Sequence, residues 1–244
     1  MDEQVHHEHP RSQERIWRHY QNLAPESFAA AQPRLEFLVR QIARKSQSAR
    51  PRVLNVGIGS GHFERACRER GWNVHSLDPD EESCRRLAAD GIVAQVGTIE
   101  NMPAADAAFD FVVASEVLEH LSDAQRAAGL AEIARVLVPG GWFLGTTPYN
   151  EDLAAQQVVC PACGEVFHRW GHHASFLVAD IRGELSRHFH VAEVRPTAFV
   201  AFRGRGLVGM VKSSLRVALA RRGAMIAIPT IYFAARKKLE LKHT

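Results

Sequence analysis

The run CPACGEVFHRWGHH, residues 160 to 173, places two of the chain's four cysteines beside three histidines. Two-residue spacing aims both thiols at one point, and Gly164 permits the tight turn that follows. Cys160, Cys163 and His168 then supply three corners of a tetrahedral shell, with either His172 or His173 as the fourth. The spacing predicts a Zn2+ site, structural if four residues ligate and catalytic if one position is left to an acceptor. The plainer reading is two reduced thiols and some surface histidines. A redox CxxC is not expected, since that chemistry belongs at a helix N-terminus in a thioredoxin-like setting, and this pair falls between a strand and a later helix.

A second cluster is VLNVGIGSG, which puts Gly57, Gly59 and Gly61 in the turn between a strand and a helix. Glycines there take positive φ and let the backbone approach a ligand, while free N–H groups at the helix start face it. Asp78 closes the next strand, NVHSLD, where an acid can accept hydrogen bonds from both hydroxyls of a ribose. A dinucleotide fingerprint needs a small third residue; His62 occupies that place, which disfavours a nicotinamide cofactor.

Alternating strand and helix signals surround these clusters. Helical periodicity covers residues 11 to 45, in two helices meeting near Pro33. Strands follow at RVLNVG, NVHSLD, GIVAQVG, FDFVVASE and WFLGTTP, with helices from Phe63 to Arg70, Glu81 to Ala89 and Asp123 to Leu137, the last ended by PGG at 139 to 141. Another helix is expected from Leu177 to Arg187, then strands in FHVAEVRPTAFVAF and PTIYFAARK. The predicted fold is α/β: a Rossmann-like, seven-stranded, mostly parallel sheet with helices on both faces and an antiparallel C-terminal strand. The expected units are a helical cap (1–50), a core (51–150), a Cys/His insertion (151–176) and a C-terminal completion of the sheet (177–244).

Composition sets limits. With 46% hydrophobic and 23% charged residues the chain reads as globular, and a net charge of +3 falls short of a dedicated nucleic-acid surface, so no DNA partner is expected. No window of eighteen uninterrupted apolar residues exists, and MDEQVHHEHP is no secretory signal. A cytoplasmic location is expected, without disulfides.

The glycine pattern, with SEVLEHL and LVPGG inside residues 109 to 148, resembles the class I S-adenosylmethionine-dependent methyltransferases, in particular the subfamily of ubiquinone and menaquinone methyltransferases. The resemblance covers residues 52 to 150. It implies that Gly57, Gly59 and Gly61 hold the methionine part of S-adenosylmethionine and Asp78 its ribose, that Thr98, Ile99 and Glu100 flank adenine, and that Ser115 and Glu116 lie below the sulfonium. Asn55 stands where the family usually has Asp or Glu, and Thr98 where Asp is common; Asn55 can hydrogen-bond an ammonium without the ion pair. Relatives with a string similar to CPxCGxxFHRWxH favour His172 as the fourth metal ligand.

Methyl transfer to oxygen needs a base, for which Glu119, His120 and His173 are the candidates. The acceptor is expected to be a small or lipid-linked molecule. Leu207, Val208, Val211, Leu215, Ala218 and Leu219 recur at helical spacing among Lys212, Arg216, Arg221 and Arg222, the pattern of a basic amphipathic helix. It fits a helix packed on the domain, a dimer face, or a peripheral contact with the inner face of a membrane. Two other readings are an RNA methyltransferase that uses the knuckle-like insertion and a non-catalytic cofactor-binding scaffold.

Overall fold

The computed structural model describes residues 11–200, 206–224 and 229–238. The stretch MDEQVHHEHP at the start of the expected helical cap and the end of the strand material at 201 to 202 fall outside them.

The chain enters through helix α1 (Arg11–Arg18), a π-helical turn (His19–Leu23), a 3-10 segment (Pro25–Ala31) and helix α2 (Gln32–Lys45). Strand β1 (Arg52–Val56), helix α3 (His62–Arg68), β2 (Asn73–Asp78), α4 (Glu81–Ala89) and β3 (Val93–Val96) then alternate. After β4 (Phe109–Ser115) and α5 (Asp123–Val136) comes β5 (Leu137–Pro148). The sequence places PGG between helix and strand, but the structure places it inside β5. Leu137 already pairs with Phe109, and four residues of β5 then stand against one of β4 before Trp142 meets Phe111. The glycines form a bulge, with Gly140 at φ +74°.

The sheet order is β3-β2-β1-β4-β5-β9-β8, where β8 is Phe189–Thr197 and β9 is Thr230–Lys237. The first five strands are parallel, and β9 runs antiparallel between β5 and β8. Alternate residues of each strand feed different cores, as a two-sided sheet requires. Leu54, Val56, Val112 and Ala114 pack with Leu130 and Ile133 of α5 and with Ile181 and Leu185 of α6 (Val178–Ser186). Val53, Phe111 and Val113 pack with Leu38 and Ile42 of α2 and Phe63 of α3.

The strand order reverses direction between β1 and β4, and there the carboxyl ends of neighbouring strands splay apart to leave a ligand crevice. Gly57, Asp78 and Ser115 all lie at that end. The insertion rises beside it: Asn150 N donates to Phe176 O at 2.8 Å and Tyr149 bridges Phe176, so the loop leaves and returns at one point. Between these pins is a short hairpin, β6 (Gln157–Val159) and β7 (Val166–His168). Helix α7 (Leu207–Arg221) lies against β8. Among the described residues no helix is long and apolar enough to cross a membrane.

Candidate active site

All three loop glycines have left-handed backbones, with φ of +86° at Gly57, +56° at Gly59 and +75° at Gly61. A Cβ on Gly61 would sit 2.9 Å from Leu87 Cδ2, so the turn and α4 leave no room for one. The loop is braced from below. Asn55 Nδ2 donates to Gly57 O at 2.8 Å and to Glu64 Oε1 at 2.7 Å, which commits both amide hydrogens inward. What Asn55 can offer an ammonium is therefore its carbonyl oxygen.

Glu64 is fully buried and also accepts from Ser76 Oγ at 2.8 Å. Burial raises its carboxyl pKa to about 6, against the opposing hydrogen bonds from Asn55 and Ser76. Between the ordinary value of 4.5 and about 6 the unfolded chain releases this proton while the folded one keeps it, so stability falls as pH rises through that window. The loss amounts to about 2 kcal/mol. Glu64→Gln does not titrate, and urea unfolding at both ends of the window should show this part of the pH dependence gone. An unchanged slope would contradict the account.

Asp78 lies buried at the end of β2. Its Oδ2 accepts from Ile58 N at 2.7 Å and Gln21 Nε2 at 3.1 Å, and Oδ1 accepts from Asp80 N at 2.9 Å. Burial raises its pKa, and these hydrogen bonds oppose the rise. Gln21 comes from the N-terminal segment, which arches over the crevice. The Phe28 ring would meet a Cβ on Gly59 at 3.2 Å, and Arg34 Nε donates to Ser115 Oγ at 2.9 Å while its guanidinium lies 3.8 Å from Glu116. Spacing alone did not single out Gln21, Arg34 or Glu64. Polar residues on amphipathic helices look the same whether they face solvent or a cleft.

The expected adenine residues form a turn after β3, in which Thr98 is exposed, Ile99 is buried against α5 at Gly129, and Glu100 accepts from Gln125 Nε2 at 3.3 Å. At the end of β4, Ser115 Oγ is 3.0 Å from Thr146 Oγ1, and Glu116 adopts φ +57°, an uncommon backbone for a residue with a side chain. Glu119 is fully buried. Its Oε2 accepts from Thr147 Oγ1 at 3.1 Å, and its backbone carbonyl accepts from His173 N at 2.7 Å and Ala174 N at 3.1 Å, which docks the insertion onto this turn. Desolvation and then Glu116 push the Glu119 carboxyl well above its usual range. His120 is half-buried; desolvation and then His172 lower its pKa to about 3. His173 is exposed.

The four residues expected to bind zinc do not converge. Cys160 and Cys163 form a knuckle at the hairpin tip, where backbone N–H groups of Cys163 and Ala162 lower the Cys160 thiol pKa. His168 lies at the base of the same hairpin, opposite Gln157, so strand pairing itself separates it from the thiols. Cys160, Cys163 and His168 form no group of ligand atoms within 4.8 Å among the described residues. His168 instead stacks on His172 with ring centroids 4.6 Å apart, and Glu151 reaches His172 Nδ1 at 2.5 Å. Glu151 follows the fifth strand, where an acid at the point at which the insertion leaves the sheet is the only sequence signal of its role.

Residues 54–145 match the family model described as a methyltransferase domain. They form a class I S-adenosylmethionine-dependent methyltransferase domain. A malonyl-[acyl-carrier protein] O-methyltransferase from Serratia marcescens is 39% identical over 97 residues, 39% of this chain and 37% of that protein. A dimethylglycine N-methyltransferase from Parasynechococcus marenigrum is 33% identical over 108 residues, 40% of this chain and 38% of that one. The chain thus spans under two-fifths of the length of these relatives. In fold, it is similar to Burkholderia thailandensis 1,6-didemethyltoxoflavin-N1-methyltransferase with bound S-adenosylhomocysteine, at TM-score 0.63 and 16% identity over 93% of this chain and 87% of that chain.

Proposed function

We propose that the chain moves a methyl group from S-adenosylmethionine to an oxygen of a small-molecule or lipid-linked acceptor. The observation that carries this reading is the left-handed Gly57–Gly61 loop beside Asp78 at the crevice where the strand order reverses. In the transfer the sulfonium's methyl–sulfur bond breaks as the acceptor oxygen forms its bond to the same carbon, and the sulfonium leaves as a neutral thioether. The electrophile is already activated, so the protein's task is alignment, exclusion of water and removal of the acceptor's proton. The acceptor would sit beyond the half-buried Ser115 at the end of β4, between the N-terminal segment and the insertion, with Thr146 and Thr147 buried behind it. Of the three candidate bases His120 is best placed, because Glu119 is sealed and His173 points outward.

A lipid-linked acceptor is supported by α7. Ser213 and Ala220 face inward, whereas Val208, Val211 and Leu215 are 71%, 67% and 57% exposed among outward Lys212, Arg216 and Arg221. An apolar stripe turned away from the domain and edged with cations suits an anionic bilayer surface. Co-sedimentation with phosphatidylglycerol vesicles should exceed that with phosphatidylcholine vesicles and fall sharply in Val211→Glu/Leu215→Glu. Equal pelleting by both vesicle types would remove the membrane part of the proposal. The reaction itself is tested by incubating the protein with methyl-labelled S-adenosylmethionine and a panel of hydroxylated aromatic and isoprenoid compounds. Label in a methyl ether supports the reading, and label confined to nitrogen or RNA contradicts it.

A further inference from the structure

We infer that Glu119, His120 and His172 form a binding site for a divalent transition-metal ion, built where the insertion docks on the β4 turn. The ligand atoms of the three lie within 4.8 Å of one another. The His120 and His172 rings meet edge to face, with centroids 4.7 Å apart and an interplanar angle of 79°, so they do not stack side by side. Glu119 is 0% exposed, and its Oε1 is a buried carboxylate oxygen with no hydrogen-bond partner. Ionising a carboxyl left so is costly, and a bound cation would offset that cost. One turn earlier, Glu116 Oε1 is also buried and unpartnered, which adds negative charge beside the site.

The surrounding groups suit ligation. A metal-bound imidazole donates its other ring nitrogen to a carbonyl or carboxylate, which fixes its tautomer. His172 Nδ1 has Glu151 Oε2 at 2.5 Å, and His120 Nδ1 has Gly171 O at 3.1 Å. Thr147 Oγ1 donates to the other oxygen of Glu119. Trp17 Nε1 also lies 3.2 Å from His120 Nδ1, and as an indole it can only donate. His120 Nδ1 can serve Gly171 or Trp17 but not both, and a metal on Nε2 selects the carbonyl.

A neighbouring trio, Glu151, His168 and His172, also brings its ligand atoms together, but it fails the same criterion. His168 Nδ1 accepts from His172 N at 3.1 Å and from Trp170 N at 3.3 Å, so in the neutral ring the proton is on Nε2, the atom that faces Glu151. Ligation there would sacrifice both backbone hydrogen bonds. Glu151 therefore orients His172 and is not itself a ligand.

Two imidazoles and one carboxylate suit zinc, manganese or iron(II) better than calcium or magnesium. Three protein ligands do not complete such a shell, so the remaining positions would go to water or to an oxygen of the acceptor. That makes a hydroxyl- or carboxylate-bearing acceptor the matching class. This last step rests on the methyltransferase reading; the metal site does not.

The test uses the full-length, untagged protein, stripped with a chelator and dialysed against Co2+ or Zn2+. One ion per chain is expected, with a Co2+ spectrum lacking a thiolate-to-metal charge-transfer band. The ion should be lost in His172→Ala and Glu119→Gln and kept in Cys160→Ser/Cys163→Ser. Glu151→Gln, which touches only the orienting carboxylate, should weaken binding about 10- to 100-fold and keeps the test open if His172→Ala does not fold. The proposal is overturned if the wild type binds no ion, if the ion survives in the folded His172 and Glu119 variants, if Glu151→Gln leaves affinity unchanged, or if a thiolate band appears and the cysteine variant loses the metal. S-adenosylmethionine binding in the same samples distinguishes failure of this site from failure of the methyltransferase reading.

Discussion

His120→Ala should lower turnover at saturating acceptor by about 10^2- to 10^4-fold while leaving the affinity for S-adenosylmethionine within a few-fold of wild type. The ring follows Ser115 and Glu116 in the turn after β4, where its neighbours are Trp17, Gly171 and His172. Whether it takes the acceptor's proton or holds a metal that activates the acceptor, the loss falls on chemistry and not on the cofactor. A packing role predicts a different pattern, in which melting temperature drops and both ligands bind more weakly in parallel. If kcat stays within threefold of wild type, His120 has no part in the reaction.

Asp78→Ala should weaken S-adenosylmethionine binding by at least about 100-fold. Two ribose hydroxyls donating to one carboxylate make two charge-assisted hydrogen bonds, each worth about 1.5–3 kcal/mol. The same carboxylate accepts from Ile58 N and Asp80 N, so its removal also loosens the loop that carries the glycines. Asp78→Asn retains one acceptor oxygen and should cost less than Ala. Gln21 donates to the oxygen that the ribose would use. Gln21→Ala removes this competitor and should bind the cofactor as tightly as wild type or more so, measured by calorimetry. Weaker binding in Gln21→Ala would mean that the side chain joins the cofactor's contacts instead of giving way to them.

The core of the fold was legible because its signals are local. Short β-branched runs such as RVLNV and FDFVV, separated by amphipathic helices, admit few arrangements once parallel crossovers are required to be right-handed. The start of β5 was not legible from PGG, which usually ends an element. Whether Leu137 already belongs to the strand depends on its pairing with Phe109, far away in the chain.

The candidate site divides in the same way. The glycine loop and Asp78 stand out because each is a residue type with one conformational or chemical purpose at the end of a strand. Cys160, Cys163 and His168 suggested a metal shell by spacing, but spacing assumes a compact turn. The hairpin β6–β7 instead extends that stretch and sends His168 away from the thiols. Glu119 meets His172 only because the returning insertion hydrogen-bonds the Glu119 carbonyl, a contact that no local pattern encodes. Arg34 and Gln21 were hidden for the related reason that a polar residue on a helix carries no label of what it faces.

The most direct measurement is a calorimetric titration of the wild-type chain with S-adenosylmethionine, repeated with S-adenosylhomocysteine. Saturable binding of one molecule per chain, with the two ligands competing and both failing to bind Asp78→Ala, is the predicted result. Absence of binding by the folded wild type, or binding that Asp78→Ala leaves intact, would contradict the assignment of the Gly57–Gly61 crevice as the cofactor site.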